Sequence, residues 1–253
     1  MDRGLTPVAV VATLGTTSSA SLDPVREIAE AAQEFGVWLH LDAAYGGPAA
    51  IVPELRPLME GWELGDSIVV NPHKWLFTPI DCSVLFCRRP EELIRAFSIV
   101  SEYLTSKEVG TSRNLMDYGV SLGRRFRALK LWFVIRYFGR LGIIERIRAH
   151  VTMAQDFKTS IEEVPNWVVV APVHLSLVTY RFSPGWTGAD EDAANHRIMD
   201  RVNETGEAFL SHTVLDGRVV LRLSIGNLKT TPERVSRTWT LLREAGEAEL
   251  AGH

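Results

Sequence analysis

The chain is predicted to adopt an α/β fold, with a mostly parallel sheet in its first half and a small α+β unit at its end. Three observations carry that prediction. Apolar runs at Val8 to Leu14, Val37 to Asp42 and Asp66 to Val70 end abruptly at small or polar residues, as buried strands do. The second and third runs are far enough apart for one crossover, which parallel neighbours require. Beyond about residue 164 the pattern changes to two short strands, a helix, a hairpin and a final helix.

Taken in order, the first strand leads into the hydroxyl-rich Gly15-Thr-Thr-Ser-Ser-Ala-Ser21, a polar βα loop. Asp23-Pro24 then reads as N-cap and first helical residue, with Val25, Ile28, Ala32 and Phe35 as the apolar stripe and Gly36 as the stop. Pro48 to Trp62 carries Pro53 and Pro57 and reads as a loop-rich crossover. Ser83 to Cys87 is a further strand and Pro90 to Phe97 a helix. The polar, glycine-containing stretch Ser98 to Ser112 lacks a helix or strand period and reads as a mobile loop.

Arg113 to Arg140 is predicted helical, with Phe126, Leu129, Phe133 and Tyr137 at helical spacing, and a second helix runs from about Ile143 to Val164. Arg124, Arg125, Arg127 and Lys130 form a basic cluster, read as a solvated face with local ion pairs. Trp167 to Ala171 and Ser176 to Ser183 read as paired strands. Ala189 to Leu210 is a helix with Ala194, Ile198, Val202 and Phe209 inward. Asp216-Gly217 is a two-residue hairpin turn. Thr231-Pro232 starts the last helix, with Val235, Trp239 and Leu242 inward.

Two strand ends carry chemistry. Asn71-Pro72-His73-Lys74-Trp75 follows the third run directly, so Lys74 sits just past a strand's carboxyl end, where open α/β sheets place ligands. Alone, such a lysine reads first as a snorkelling residue that caps the strand. Asp42 ends the neighbouring run 32 residues earlier, and both side chains can share one crevice. An amine and an acid so placed suit pyridoxal phosphate, the lysine holding the aldehyde and the carboxylate partnering the pyridinium nitrogen. Ala43, Ala44, Gly46 and Gly47 leave space there for a flat ring. His40 shares the face of Asp42, but no third ligand follows at metal-site spacing.

The sequence is similar to the group II pyridoxal-phosphate-dependent amino-acid decarboxylases, and most to their aromatic-L-amino-acid branch. The matching pieces are Val-Ala-Thr-Leu-Gly-Thr-Thr at 11–17, Leu-His-Leu-Asp-Ala-Ala-Tyr at 39–45 and Asn-Pro-His-Lys-Trp at 71–75. Asp-Cys-Ser at 81–83 and Leu-Gly-Arg-Arg-Phe-Arg-Ala-Leu-Lys-Leu-Trp at 122–132 also match, in the family's order. The resemblance implies a fold-type I enzyme. Residues 1–123 would be the C-terminal part of the large cofactor domain, with the mobile loop at 98–112, and residues 124–253 the linking helices and small C-terminal domain. The chain thus looks like the C-terminal half of such an enzyme.

The resemblance also implies site roles. Lys74 holds pyridoxal 5′-phosphate, Asp42 faces its ring nitrogen, and Thr17 and Ala44 flank it. Asn71 and His73 help hold the phosphate, Ile80 lies near the substrate side chain, and Tyr103 on the closing loop protonates the carbanion or helps exclude water and oxygen. The family's main phosphate loop and its ring-stacking histidine would lie upstream. The implied reaction turns an L-amino acid, aromatic by resemblance, into the amine and CO2. The alternatives are an aldehyde-forming relative and a non-catalytic fragment. Tyr103 favours the amine, because aldehyde-forming relatives more often carry phenylalanine there.

Composition bounds the rest. With 253 residues, 46% hydrophobic and 23% charged, the chain is an ordinary globular one. A net charge of −4 lends no support to nucleic-acid binding. Its longest uncharged stretch, Asn166 to Tyr180, is too short to span a bilayer. Two cysteines, Cys82 and Cys87, in one apolar run read as buried thiols of a reducing cytosol. The resemblance implies a small-molecule amino acid as substrate and a homodimer when the enzyme is complete, and the composition points to no nucleic acid and no membrane.

Overall fold

The computed structural model describes residues 4–98 and 114–253. Its first sheet runs β1 (Ala9–Thr13), β2 (Trp38–Asp42), β3 (Ser67–Val70), β4 (Val84–Cys87) in spatial order. β1, β2 and β3 are parallel and β4 is antiparallel to β3. The two-residue period puts Val10 and Ala12 beside Leu39 and Leu41 on one face, and that face is the buried one. Helix α1 (Val25–Glu34) forms the first crossover and buries Val25, Ala29 and Ala32. The second crossover is irregular, with short 3₁₀ turns at Gly47–Ile51, Arg56–Met59 and Trp62–Leu64. This matches the proline-rich reading of that stretch.

Helix α2 (Pro90–Phe97) has the predicted bounds. Among the described residues of the predicted helix Arg113 to Arg140, residues 114–126 hold only a 3₁₀ turn at Leu115–Tyr118. The long helix α3 begins at Arg127 and continues to Glu162. Gly119 and Gly123 lie in the non-helical part, and each glycine costs a helix about 1 kcal/mol relative to alanine. Gly139, at φ 63°, interrupts α3, so the two predicted helices are joined across a break. Before the break, Phe126, Leu129, Phe133 and Tyr137 face solvent. Beyond it, Ile143, Ile144 and Ile147 join the first core, and Met153, Ala154, Phe157 and Ile161 join a second.

That second core lies against an antiparallel sheet with order β5 (Trp167–Val169), β6 (Leu177–Phe182), β8 (Arg218–Ser224), β7 (Ser211–Leu215). Helices α4 (Gly188–Glu204) and α5 (Pro232–Gly252) pack on it and supply Ala194, Ile198, Val202, Val235, Trp239 and Leu242. The hairpin turn has Asp216 at φ 49° and Gly217 at φ 73°, both left-handed, as the primed two-residue turn demands. Thr231 caps α5 through its side chain, which accepts from the Arg234 N–H.

Local details differ from the sequence reading. Phe35 and Phe209 are exposed, and Leu210 enters the core in place of Phe209. Asp23 does not cap α1; its Oδ2 accepts from Thr13 N at 2.7 Å, tying the helix entry to the end of β1. Cys82 is a buried thiol, whereas Cys87 is only half-buried. No described helix is long and apolar enough to cross a membrane.

Candidate active site

The site begins where β2 and β3 end. Asp42 pairs with Thr13 on one side and Val69 on the other, so it stands mid-sheet at the carboxyl edge. Its Oδ1 accepts from Ala44 N at 3.0 Å, which fixes the carboxylate. Asn71 N donates to Ala44 O at 3.1 Å, stitching the segment leaving β3 to the one leaving β2. Pro72 offers no N–H, and the chain then turns, with Lys74 N donating to Asn71 O at 2.9 Å and Thr78 N to Pro72 O at 3.1 Å. Lys74 is exposed at this turn, and the Asn71 Oδ1 beside it is buried without a partner among the described residues.

Gly46 and Gly47 serve packing and not ring space. A Cβ on Gly46 would meet the Leu14 carbonyl oxygen at 2.3 Å, and one on Gly47 would meet Val70 at 2.9 Å. The loop must press against the ends of β1 and β3, and only glycine allows it.

A cavity of about 280 Å³ opens beside Lys74, between the two sheets. Thr16, Thr17, Tyr45, Lys74 and Trp75 form one wall, and Leu177, Arg222, Ser224 and Gly226 form the other. The Tyr45 and Trp75 rings stack at 5.2 Å with 22° between planes. Tyr45 Oη and Ser176 Oγ are hydrogen-bonded at 2.9 Å. Burial pushes the Tyr45 pKa up, against the opposing pull of Ser176 and Arg222, so the phenol keeps its proton. Arg222 donates to Ser18 O at 2.9 Å, Ser211 Oγ at 2.8 Å and Thr17 O at 2.5 Å, all neutral acceptors. Burial lowers its pKa, yet a guanidinium stays charged, so the cavity wall is positive.

Of the residues singled out from sequence, Lys74 and Thr17 line this cavity, whereas Asp42, Ala44 and Asn71 sit together at the sheet edge and do not line it. The His73 ring turns onto the next segment, with Nδ1 2.7 Å from Cys82 O. Ile80 is 83% exposed and does not line the cavity. Tyr103 lies outside the described residues. Asp81 pairs with Arg127 at 2.8 Å, the local ion pair expected of the basic cluster. Arg222, Trp75 and Ser176 were missed as site residues. An arginine in the middle of the apolar strand Arg218–Ser224 was the available signal for the first. No group of three or more His, Cys, Asp or Glu that could hold a metal occurs among the described residues.

Residues 1–183 match the pyridoxal-dependent decarboxylase conserved domain. The chain belongs to that family. This decarboxylase-family chain is 38% identical over 252 residues to a tryptophan decarboxylase of Camptotheca acuminata, covering 98% of this chain and 50% of the relative. It is 36% identical to a phenylacetaldehyde synthase of a Rosa hybrid cultivar, covering 99% and 51% respectively. The crystal structure of Oryza sativa TDC with PLP and tryptamine superimposes with a TM-score of 0.93 at 40% identity, covering 98% of this chain and 52% of that one. The chain spans about half the length of the curated relatives it matches. The fold is that of the fold-type I pyridoxal-dependent decarboxylases, as the sequence predicted.

Proposed function

We propose that the chain supplies the lysine side of a pyridoxal 5′-phosphate-dependent active site that converts an aromatic L-amino acid to its amine and CO2. The observation that carries this reading is Lys74: an amine on a turn at the sheet's carboxyl edge, facing a cavity, one strand from Asp42. The chain's donors suit the cofactor. Lys74 offers an amine to an aldehyde, Asp42 Oδ2 has no hydrogen bond among the described residues, and the buried Asn71 Oδ1 lacks a partner. When bound, the cofactor supplies an electron sink for the pair left behind as CO2 departs.

The chain's own residues do the rest. The Lys74 amine would hold the cofactor's aldehyde. The Asp42 carboxylate keeps a proton on the ring nitrogen by opposite charge. Asn71 and His73 serve the phosphate, and Thr17 and Ala44 flank the ring. Tyr45 and Trp75 form an apolar wall that excludes water, and the Arg222 guanidinium opposite suits a carboxylate. Tyr103 returns the proton, and Ile80 meets the substrate side chain.

Residues 1–123 then act as part of the cofactor domain and 124–253 as linking helices and the small domain. A cytosolic homodimer suits the unpaired thiols Cys82 and Cys87 and the apolar residues exposed on α3.

Borohydride reduction of the pyridoxal phosphate-treated protein followed by peptide mapping should place the label on Lys74. A label on Lys107 or Lys130 instead would refute the assignment. A second reading, aldehyde formation, is favoured by the likeness to the Rosa synthase. Tyr103→Phe should divert product from amine towards aldehyde under air, measured as amine, aldehyde and CO2 together. An unchanged amine yield per CO2 would remove Tyr103 from the catalytic set.

A further inference from the structure

The Trp75 indole is almost wholly buried, and a buried indole N–H needs an acceptor. It donates to Nδ1 of His150 at 3.1 Å. His150 is itself buried, on the stretch of α3 between Ile147 of the first core and Met153 of the second. Nδ1 can accept only when the imidazole is neutral with its proton on Nε2. The main chain of Asn227, in the loop after β8, lies near the ring and favours its protonated form. Phe77 meets the ring edge-on, with centroids 5.8 Å apart.

The contacts continue to the cavity. Trp75 follows Lys74 directly and stacks on Tyr45, whose hydroxyl is anchored to Ser176. One histidine thus ties the cavity's aromatic wall to α3.

We propose that His150 is a positioning residue that must be neutral to hold Trp75, and with it the Lys74 turn, against the cavity. The catalytic part of this rests on the reading of Lys74 as the cofactor-binding lysine; the His150–Trp75 contact does not. Protonation of Nδ1 would set two N–H donors against each other and release the indole. Burial pushes the His150 pKa below the ordinary 6.5; the Asn227 main chain pulls it up, and the Arg146 guanidinium one turn earlier pushes it down. Among the described residues Arg146 is the charged group acting on the ring, and its guanidinium lies over Phe138 at 4.3 Å. Trp75, Phe77 and Asn227 are neutral. The hold is therefore intact at neutral pH and is lost as pH falls below the histidine's depressed value.

The test follows the Trp75 indole resonance in nitrogen-15-labelled protein, assigned with Trp75→Phe, between about pH 7.5 and about pH 5. Over the same range it follows the rate of borohydride-trapped pyridoxal phosphate labelling at Lys74, in the wild type and in His150→Gln. Glutamine keeps a neutral acceptor and donor and does not titrate. The ratio of the two labelling rates cancels any pH dependence the proteins share. Expected are a one-proton shift of the indole resonance below pH 6.5 and a fall of about five- to tenfold in the wild-type-to-variant ratio, the worth of one buried hydrogen bond. An indole resonance that stays fixed, or a ratio independent of pH, would overturn the proposal. Absence of label at Lys74 in both proteins would overturn the Lys74 reading and the catalytic part with it, and the indole titration would still decide the contact.

Discussion

The two cores of this chain are closed to different degrees. Around the second sheet, β6 is buried at all six of its residues, because α3, α4 and α5 cover what its neighbouring strands leave open. Around the first sheet only one face is filled. Val11 on β1 and Leu85 and Phe86 on β4 face solvent, as do Phe126, Trp132, Phe133 and Tyr137 on or beside the first half of α3. An antiparallel unit of hairpin and helices can be completed by sequence neighbours, whereas a parallel sheet needs cover on both faces. Asp42 shares the less covered face of the first sheet with Val11 and His40, so the candidate site belongs to the open side of the molecule.

Substitutions at matched depths can break or sharpen that contrast. The largest effect is expected at Glu191, whose side chain is 5% exposed and pairs with Arg181 at 2.9 Å and Arg218 at 2.8 Å. Glu191→Ala leaves the buried Arg181 with Asp192, at 3.3 Å, as its remaining carboxylate among the described residues, and should cost about 3–5 kcal/mol in urea unfolding. Burial opposes ionisation of Glu191, yet Gly185 N, Ser183 and the two arginines hold its carboxyl below the usual 4.5. Its contribution is thus present above pH 4.5 and lost as pH falls through the lower folded value; in Glu191→Ala that acid-dependent loss should be reduced.

A smaller, paired test uses two aromatic residues. Phe157 packs edge-on against Tyr180 and Trp239, and Phe157→Ala should cost about 3 kcal/mol. Phe126 is 76% exposed, so Phe126→Ser should change stability by less than about 0.5 kcal/mol while lowering binding of an apolar dye. Equal losses at the two positions would show that the two regions are closed alike.

Strand ends, the hairpin and the capped last helix were legible because each is set by neighbours in sequence: a period, a turn pair, a hydroxyl before proline. The predicted helix from Arg113 held from Arg127 onward and failed before it, where Gly119 and Gly123 lie. Its apolar spacing at Phe126, Leu129 and Phe133 says nothing about what the stripe packs against, and nothing in the described chain covers it. Phe35 and Phe209 failed for the same reason.

Asp42 and Lys74 could be placed from the sequence alone, since a strand's end fixes where its last side chain stands. The cavity wall could not. Arg222 reaches Thr17 across 205 residues of chain, and Trp75 reaches His150 across 75. Such pairs exist only once two separately formed sheets are brought together on α3. Local propensity carries no record of that docking, because its driving force is burial shared between segments that do not adjoin in sequence.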